Sequence, residues 1–241
     1  MTDGEQFKEI PESIFADDDG SADARLAQAL IKYSRGKTEL LEVVEALAYA
    51  RVLIPVMASG DARHVGKHGI EQDEVASTGV VAVQMPDGRT ALPVFTDVDA
   101  MKAWNVTARP IPAEGPRAAL AAVAEEWSTL VLNPGMETVT IPRPAVWALG
   151  QGEQWRPAVT RDGVVEDVVL AIREAVTLDD QVRGVGAVRG RSAEVAVVLR
   201  LVPDLTREQV NAVVERVQRA LARSEVVTQR VDSLELRLAQ A

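Results

Sequence analysis

Val80-Val81-Ala82-Val83-Gln84-Met85-Pro86-Asp87-Gly88-Arg89-Thr90-Ala91-Leu92-Pro93-Val94-Phe95 is the stretch on which the fold turns. Two apolar, β-prone runs, 80–85 and 90–95, flank Pro86-Asp87-Gly88-Arg89. An Asp-Gly pair supplies the positive φ that a tight hairpin turn demands, so the spacing predicts a β-hairpin. This hairpin sits among helical stripes. Upstream, residues 23–35 place Leu26, Leu30 and Ile31 on one side, and Gly36 stops the helix. Thr38 is placed as the next N-cap. Leu40, Leu41, Val43, Val44 and Leu47 carry a second helix towards Ala50, and residues 51–57 read as a buried strand. Downstream, Thr96 or Asp97 caps a short helix ending near Trp104. Residues 108–112 are extended because proline restrains its predecessors. Gly115-Pro116 opens a helix running to Trp127, and residues 129–132 form a strand stopped by Asn133-Pro134-Gly135. Residues 139–141 are a short edge strand, and 142–149 a helix.

Beyond a polar segment broken by Gly and Pro, the pattern restarts. Val165, Val168, Val169, Ile172 and Val176 share a helical face. Residues 182–188 and 193–202 form a second hairpin around Gly190-Arg191-Ser192. Thr206 with Gln209 has capping-box spacing ahead of Val210, Val213, Val214, Val217 and Leu221. Leu234, Leu236 and Leu238 alternate with Glu235 and Arg237, giving a last strand. The expected class is α+β, with two small domains, each a mainly antiparallel sheet packed by helices. The boundaries are an acidic mobile tail at 1–23, a first domain at 24–150, a linker at 151–162 and an α-β-β-α-β domain at 163–241.

Composition excludes much chemistry. The 241 residues include no cysteine and two histidines, so disulfides, thiolate metal sites and cysteine nucleophiles are absent. The net charge is −10, but it is uneven: residues 1–23 hold eight Asp or Glu against one Lys. The folded remainder is close to neutral. The acidic balance argues against nucleic-acid binding. No run is long and apolar enough to span a membrane.

His64 and His68 stand at i, i+4 in the long polar loop 58–78. On a helix that spacing puts both rings on one face, as a zinc site needs. Gly66 and Gly69 oppose a helix there, and solvated loop histidines are the favoured reading. Gly184-Val185-Gly186 leads into a strand, so it fails as a dinucleotide fingerprint. No P-loop and no nucleophile elbow is present. Arg183, Arg189, Arg191 and Arg200 cluster on the second hairpin; a solvated sheet edge guarded by charge is the favoured reading, and an electrostatic contact with the acidic tail, within one chain or between subunits, is the alternative.

Three segments together resemble one family: Ala50-Arg51-Val52-Leu53-Ile54-Pro55-Val56, then Ala91-Leu92-Pro93-Val94-Phe95-Thr96 leading to Trp104, then Leu130-Val131-Leu132-Asn133-Pro134-Gly135. They are similar to the SseB amino-terminal domain, over about 24–150, and residues 158–241 resemble the carboxy-terminal domain of many members. Similar proteins are common in actinobacteria, whose composition the Ala/Arg/Val-rich chain matches. The resemblance implies a cytoplasmic interaction or regulatory role. The family name is associated with serine sensitivity, and no catalytic residue set or cofactor carries over. A rhodanese-type sulfurtransferase, known by the same letters, needs a cysteine this chain lacks. The expectation is therefore a non-enzymatic binding protein with no cofactor and an unidentified protein partner, self-association also being compatible. The expected surface is Leu92, Phe95, Trp104, Asn133 and Gly135, with Arg183, Arg189 and Arg191. Alternatives are an enzyme using the 58–78 loop and a secretion-associated adaptor.

Overall fold

Asp23 opens the first helix by accepting the Leu26 N–H at 2.9 Å, satisfying one of the free donors of a helix start. The computed structural model describes residue 15 and residues 18–57 and 79–241. Residues 1–14 and 16–17, and the loop 58–78 with His64 and His68, lie outside the described residues. Within the acidic leader, Asp18 pairs with Arg51 at 2.8 Å, and the Gly20 carbonyl accepts the Val98 N–H. The expectation of a mobile tail through residue 23 is therefore corrected for 18–23, where a partly buried ion pair and a helix cap fix the chain.

Helix α1 (Ala24–Ser34) and α2 (Leu40–Leu47) follow. The N-cap of α2 is Glu39, not Thr38. The Thr38 hydroxyl donates to Glu42 instead, at 2.5 Å, while Lys32 pairs with the same carboxylate. Strand β1 (Arg51–Val56) comes next, then β2 (Val83–Gln84) and β3 (Thr90–Val94), which pair antiparallel across the Asp87-Gly88 turn. Asp97 accepts the Ala100 N–H at 2.7 Å and opens α3 (Val98–Trp104). Strand β4 (Arg109–Glu114) pairs antiparallel with β1. Its Pro110 and Pro112 suit a strand with one free edge.

Helix α4 (Gly115–Ala124) starts against α2. A Cβ on Gly115 would stand 1.9 Å from the Leu47 carbonyl oxygen, so only glycine lets the two helices meet this closely. Strand β5 (Thr129–Leu132) runs parallel to β3, and β6 (Val139–Ile141) closes the order β2-β3-β5-β6. Helix α5 (Arg143–Gln151) ends at Gly152, in the left-handed region at φ 70°. The isolated bridge between Leu53 and Phe95 ties β1 to the end of β3. Helices α1, α2, α4 and α5 cover one face, burying Leu26, Val43, Leu47, Leu92 and Leu130. Helix α3 covers Leu53, Phe95 and Met101 on the other side.

The segment expected as a linker is partly built into the fold. It contains Trp155, which is buried in the first core, and β7 (Val159–Thr160), which pairs with β8 (Gly163–Val164). Then come α6 (Glu166–Ala175), β9 (Val182–Arg189), β10 (Val195–Leu201), α7 (Arg207–Arg223), α8 (Glu225–Arg230) and β11 (Leu234–Gln240). The sequence order recurs here, with α8 added. Both bonds of the Thr206–Gln209 capping box are present. The sheet order is β11-β10-β9, with β10 antiparallel to β9 and parallel to β11. Val213, Val217 and Leu221 of α7 pack with Val168 and Ile172 of α6 over this sheet. Each such side chain contributes about 1.5–3 kcal/mol by burial. The α+β class is observed.

Candidate functional site

The expected surface motif is an internal brace. Parallel β3 and β5 end side by side, so the residues after them, Thr96 and Asn133, are neighbours. Asn133 sits in the left-handed region at φ 48°, which asparagine tolerates better than most residues. Its Oδ1 accepts the Thr96 N–H at 3.0 Å, and its Nδ2 donates to the Thr96 hydroxyl at 3.1 Å. That hydroxyl donates to Asp97 at 2.8 Å. Arg51 donates to the Thr96 carbonyl at 2.9 Å and holds Asp18 on its other side. The polar groups of this cluster are thus spent on one another.

Leu92 and Phe95 are fully buried, which corrects their placement on an exposed surface. A run apolar at every position fills both faces of its strand. Trp104 is half-buried and tilts against Phe95, with ring centroids 5.3 Å apart. Gly135 is exposed in the turn after Asn133, at φ 86°. The arginines do not gather into one patch. Arg183 is exposed near Asp179, and the Arg191 N–H donates to Glu235 at 3.0 Å. Arg189 reaches across to the Thr160 carbonyl. Most of the acidic tail lies outside the described residues; of its described acids, Asp18 pairs with Arg51, Asp19 accepts the Ser21 N–H and Asp23 caps α1.

Two polar knots join the halves. Asp232 accepts Arg89 at 3.0 Å and the Arg143 N–H at 3.0 Å, while the Arg143 guanidinium donates to the Thr228 and Val231 carbonyls. On the opposite side, Arg161 donates to the Gly36 and Thr38 carbonyls at 2.6 and 3.1 Å, and its N–H donates to Glu39.

Between these knots lies a cleft of about 740 Å³, in the size range of ligand pockets at domain interfaces. Tyr33, Leu40 and Glu39 come from the α1–α2 corner. Trp155, Val159 and Arg161 come from the connecting segment, and Arg189 and Glu194 from the second hairpin. Trp155 is 7% exposed, and its indole Nε1–H is buried with no hydrogen-bond partner among the described residues. Glu194 accepts the Asp232 N–H at 2.7 Å. Burial, with the nearby Asp232 charge, pushes its carboxyl above the usual range. Two guanidinium side chains, Arg161 and Arg189, therefore line a site whose own acceptors are mostly engaged. Such a lining suits a ligand rich in acceptors, carboxylate or peptide carbonyl.

Of the described residues expected at a site, Arg189 alone lines this cleft; His64 and His68 lie outside the described residues. Nothing local in the sequence marks Tyr33, Arg161 or Glu194 as cleft residues. Trp155, a large aromatic in a polar segment, is the one that carried a signal. Among the described residues no group of three or more His, Asp or Glu is placed to hold a metal, and no helix is long and apolar enough to cross a membrane. The family model described as SseB protein N-terminal domain matches residues 26–148, just over half of the chain. No curated protein and no solved structure matches.

Proposed function

The chain belongs to the SseB family, and on that premise we propose that it is a cytoplasmic, non-enzymatic binding protein that takes an acceptor-rich segment of a protein partner into the cleft between its halves. The observation that carries this reading is the grouping of Arg161 and Arg189 with Tyr33, Leu40 and Trp155 in one cleft. An incoming carboxylate or carbonyl would meet charged guanidinium donors there, and hydrogen bonds to charged groups are the stronger kind. Tyr33 and Leu40 add apolar surface beside those donors, the combination that anchors peptides. In this reading residues 163–241 are the family's carboxy-terminal domain, and its Arg189 and Glu194 complete the cleft. The regulatory association with serine sensitivity fits a role exerted through a bound partner.

The test is affinity purification of the full chain from its source organism, alongside Tyr33→Ala and Arg189→Glu variants of unchanged melting temperature. The reading expects proteins held by the parent chain to be lost from both variants. Retention of all of them on both variants would overturn it.

A further inference from the structure

Strand β11 leaves one edge open. It pairs with β10 on one side, and among the described residues no strand pairs with the other. Natural sheets guard such edges with proline, bulges or uncompensated charge, because an open edge accepts another strand. This strand has none of those guards. It is seven residues long, and Glu235 and Arg237 neutralise each other. The hydroxyl of Ser192, the Arg191 and Ser192 N–H groups and Arg237 hold the Glu235 carboxyl down at about 2, so the strand keeps both signs of charge across ordinary pH. Leu234, Leu236 and Leu238 are level with core residues Val195, Val197 and Leu199 of β10. Yet Leu234 is 37% exposed and Leu238 48% exposed. They form one wall of an apolar groove of about 520 Å³, whose other walls include Val214 and Leu221 of α7 and Val227 of α8.

What fits this edge follows from its own sequence. Leu234-Glu235-Leu236-Arg237-Leu238, laid antiparallel on itself about Leu236, sets Leu234 opposite Leu238, Glu235 opposite Arg237 and Leu236 opposite Leu236. Both charge pairs are then favourable and all three leucines meet on the groove side. Shifting the centre to residue 235 opposes two glutamates, and shifting it to 237 opposes two arginines. Like charges directly across a strand pair are destabilising. The favoured register is thus unique among these three.

We propose that the chain forms a two-fold dimer in which the β11 strands of two copies pair antiparallel about Leu236, giving a six-stranded sheet. The contact is isologous and closes on itself. The far side of each sheet is flanked by the β7–β8 hairpin, from which Thr160 takes the Arg189 bond. The cleft between the halves plays no part in this contact, so the proposal stands or falls separately from the binding role.

Sedimentation equilibrium of the full chain at tens of micromolar is expected to give twice the 26.0 kDa chain mass. Arg237→Glu alone and Glu235→Arg alone each place like charges across the axis and are expected to weaken association by about tenfold. Mixed in equal amounts, these two variants restore complementary pairs and re-associate. Since the chain has no cysteine, Leu236→Cys supplies a direct probe. Facing residues of an antiparallel pair lie about 4.5–5.5 Å apart at Cα, within disulfide reach. Mild oxidation is expected to give covalent dimer from Leu236→Cys and not from Val106→Cys, whose site is exposed elsewhere. A monomeric parent chain, or no faster cross-linking at 236 than at 106, would overturn the proposal.

Discussion

Replacing Asn133 separates two contributions that the brace combines. Asn133→Ala removes the acceptor of the Thr96 N–H and the donor to its hydroxyl. Thr96 is 4% exposed, so water cannot readily replace the lost partner. Leaving that donor unmet costs about 1–3 kcal/mol. Alanine at φ 48° adds about 1–2 kcal/mol of left-handed strain, for a total of about 2–5 kcal/mol. Asn133→Gly loses the same bonds but not the backbone compatibility, so it should be the milder change by about 1 kcal/mol. Asn133→Asp keeps the acceptor, loses the amide donor and brings a second negative charge near Asp97. It should fall between parent and alanine at low ionic strength and improve with salt. The assay is urea denaturation followed by tryptophan fluorescence, comparing midpoints at constant m. If alanine costs less than about 0.5 kcal/mol, or glycine costs more than alanine, the brace does not hold these strand ends together.

Three further substitutions probe the same framework. Gly115→Ala forces a Cβ into the Leu47 carbonyl and should destabilise by about 3 kcal/mol, read as a fall in urea midpoint; an unchanged midpoint contradicts the close α2–α4 contact. Thr129→Val removes a fully buried hydroxyl with no hydrogen-bond partner among the described residues while keeping the shape. It should stabilise by about 1 kcal/mol and raise Tm by about 2–4 °C, and a lowered Tm refutes the assignment. Glu194→Gln tests the buried carboxyl, whose folded-state pKa is raised by burial above the ordinary carboxylate range. A raised carboxyl favours folding in its protonated form, below the unfolded value. That contribution is lost as pH rises through the folded value. The glutamine variant should therefore melt higher than the parent at neutral pH and converge with it below about pH 4.5; a difference independent of pH tells against burial as the cause.

Local rules carried the sequence reading far. The Asp87-Gly88 turn, the Asp97 cap and the Thr206–Gln209 box are fixed by neighbours a few residues apart, and each occurs where the spacing puts it. Where distant groups decide, the sequence is mute. Thr38 has the better capping side chain, but Glu42, paired with Lys32 of the preceding helix, draws its hydroxyl away and Glu39 takes the cap. Residues 151–162 read as a linker on their polar character, Gly152 and Pro157, yet Trp155 packs into the first core. Asp18 looked like one acid among eight until Arg51, 33 positions away, engaged it. At the site, Leu92 and Phe95 were misplaced although the unbroken apolar run 91–95 already spoke for burial on both faces. Nothing local marks Glu194, because its partner, the Asp232 N–H, lies 38 positions along the chain. Arg189 was found through its place on a hairpin, but its direction, towards β7 rather than towards Arg183, is a tertiary fact.

Amide hydrogen exchange of the full chain, with and without the partner it co-purifies with, tests the binding reading most directly. The account predicts added protection gathered at the cleft, in residues 33–41, 155–161 and 189–194. Protection confined elsewhere, with those three segments exchanging as they do in the free protein, would contradict it.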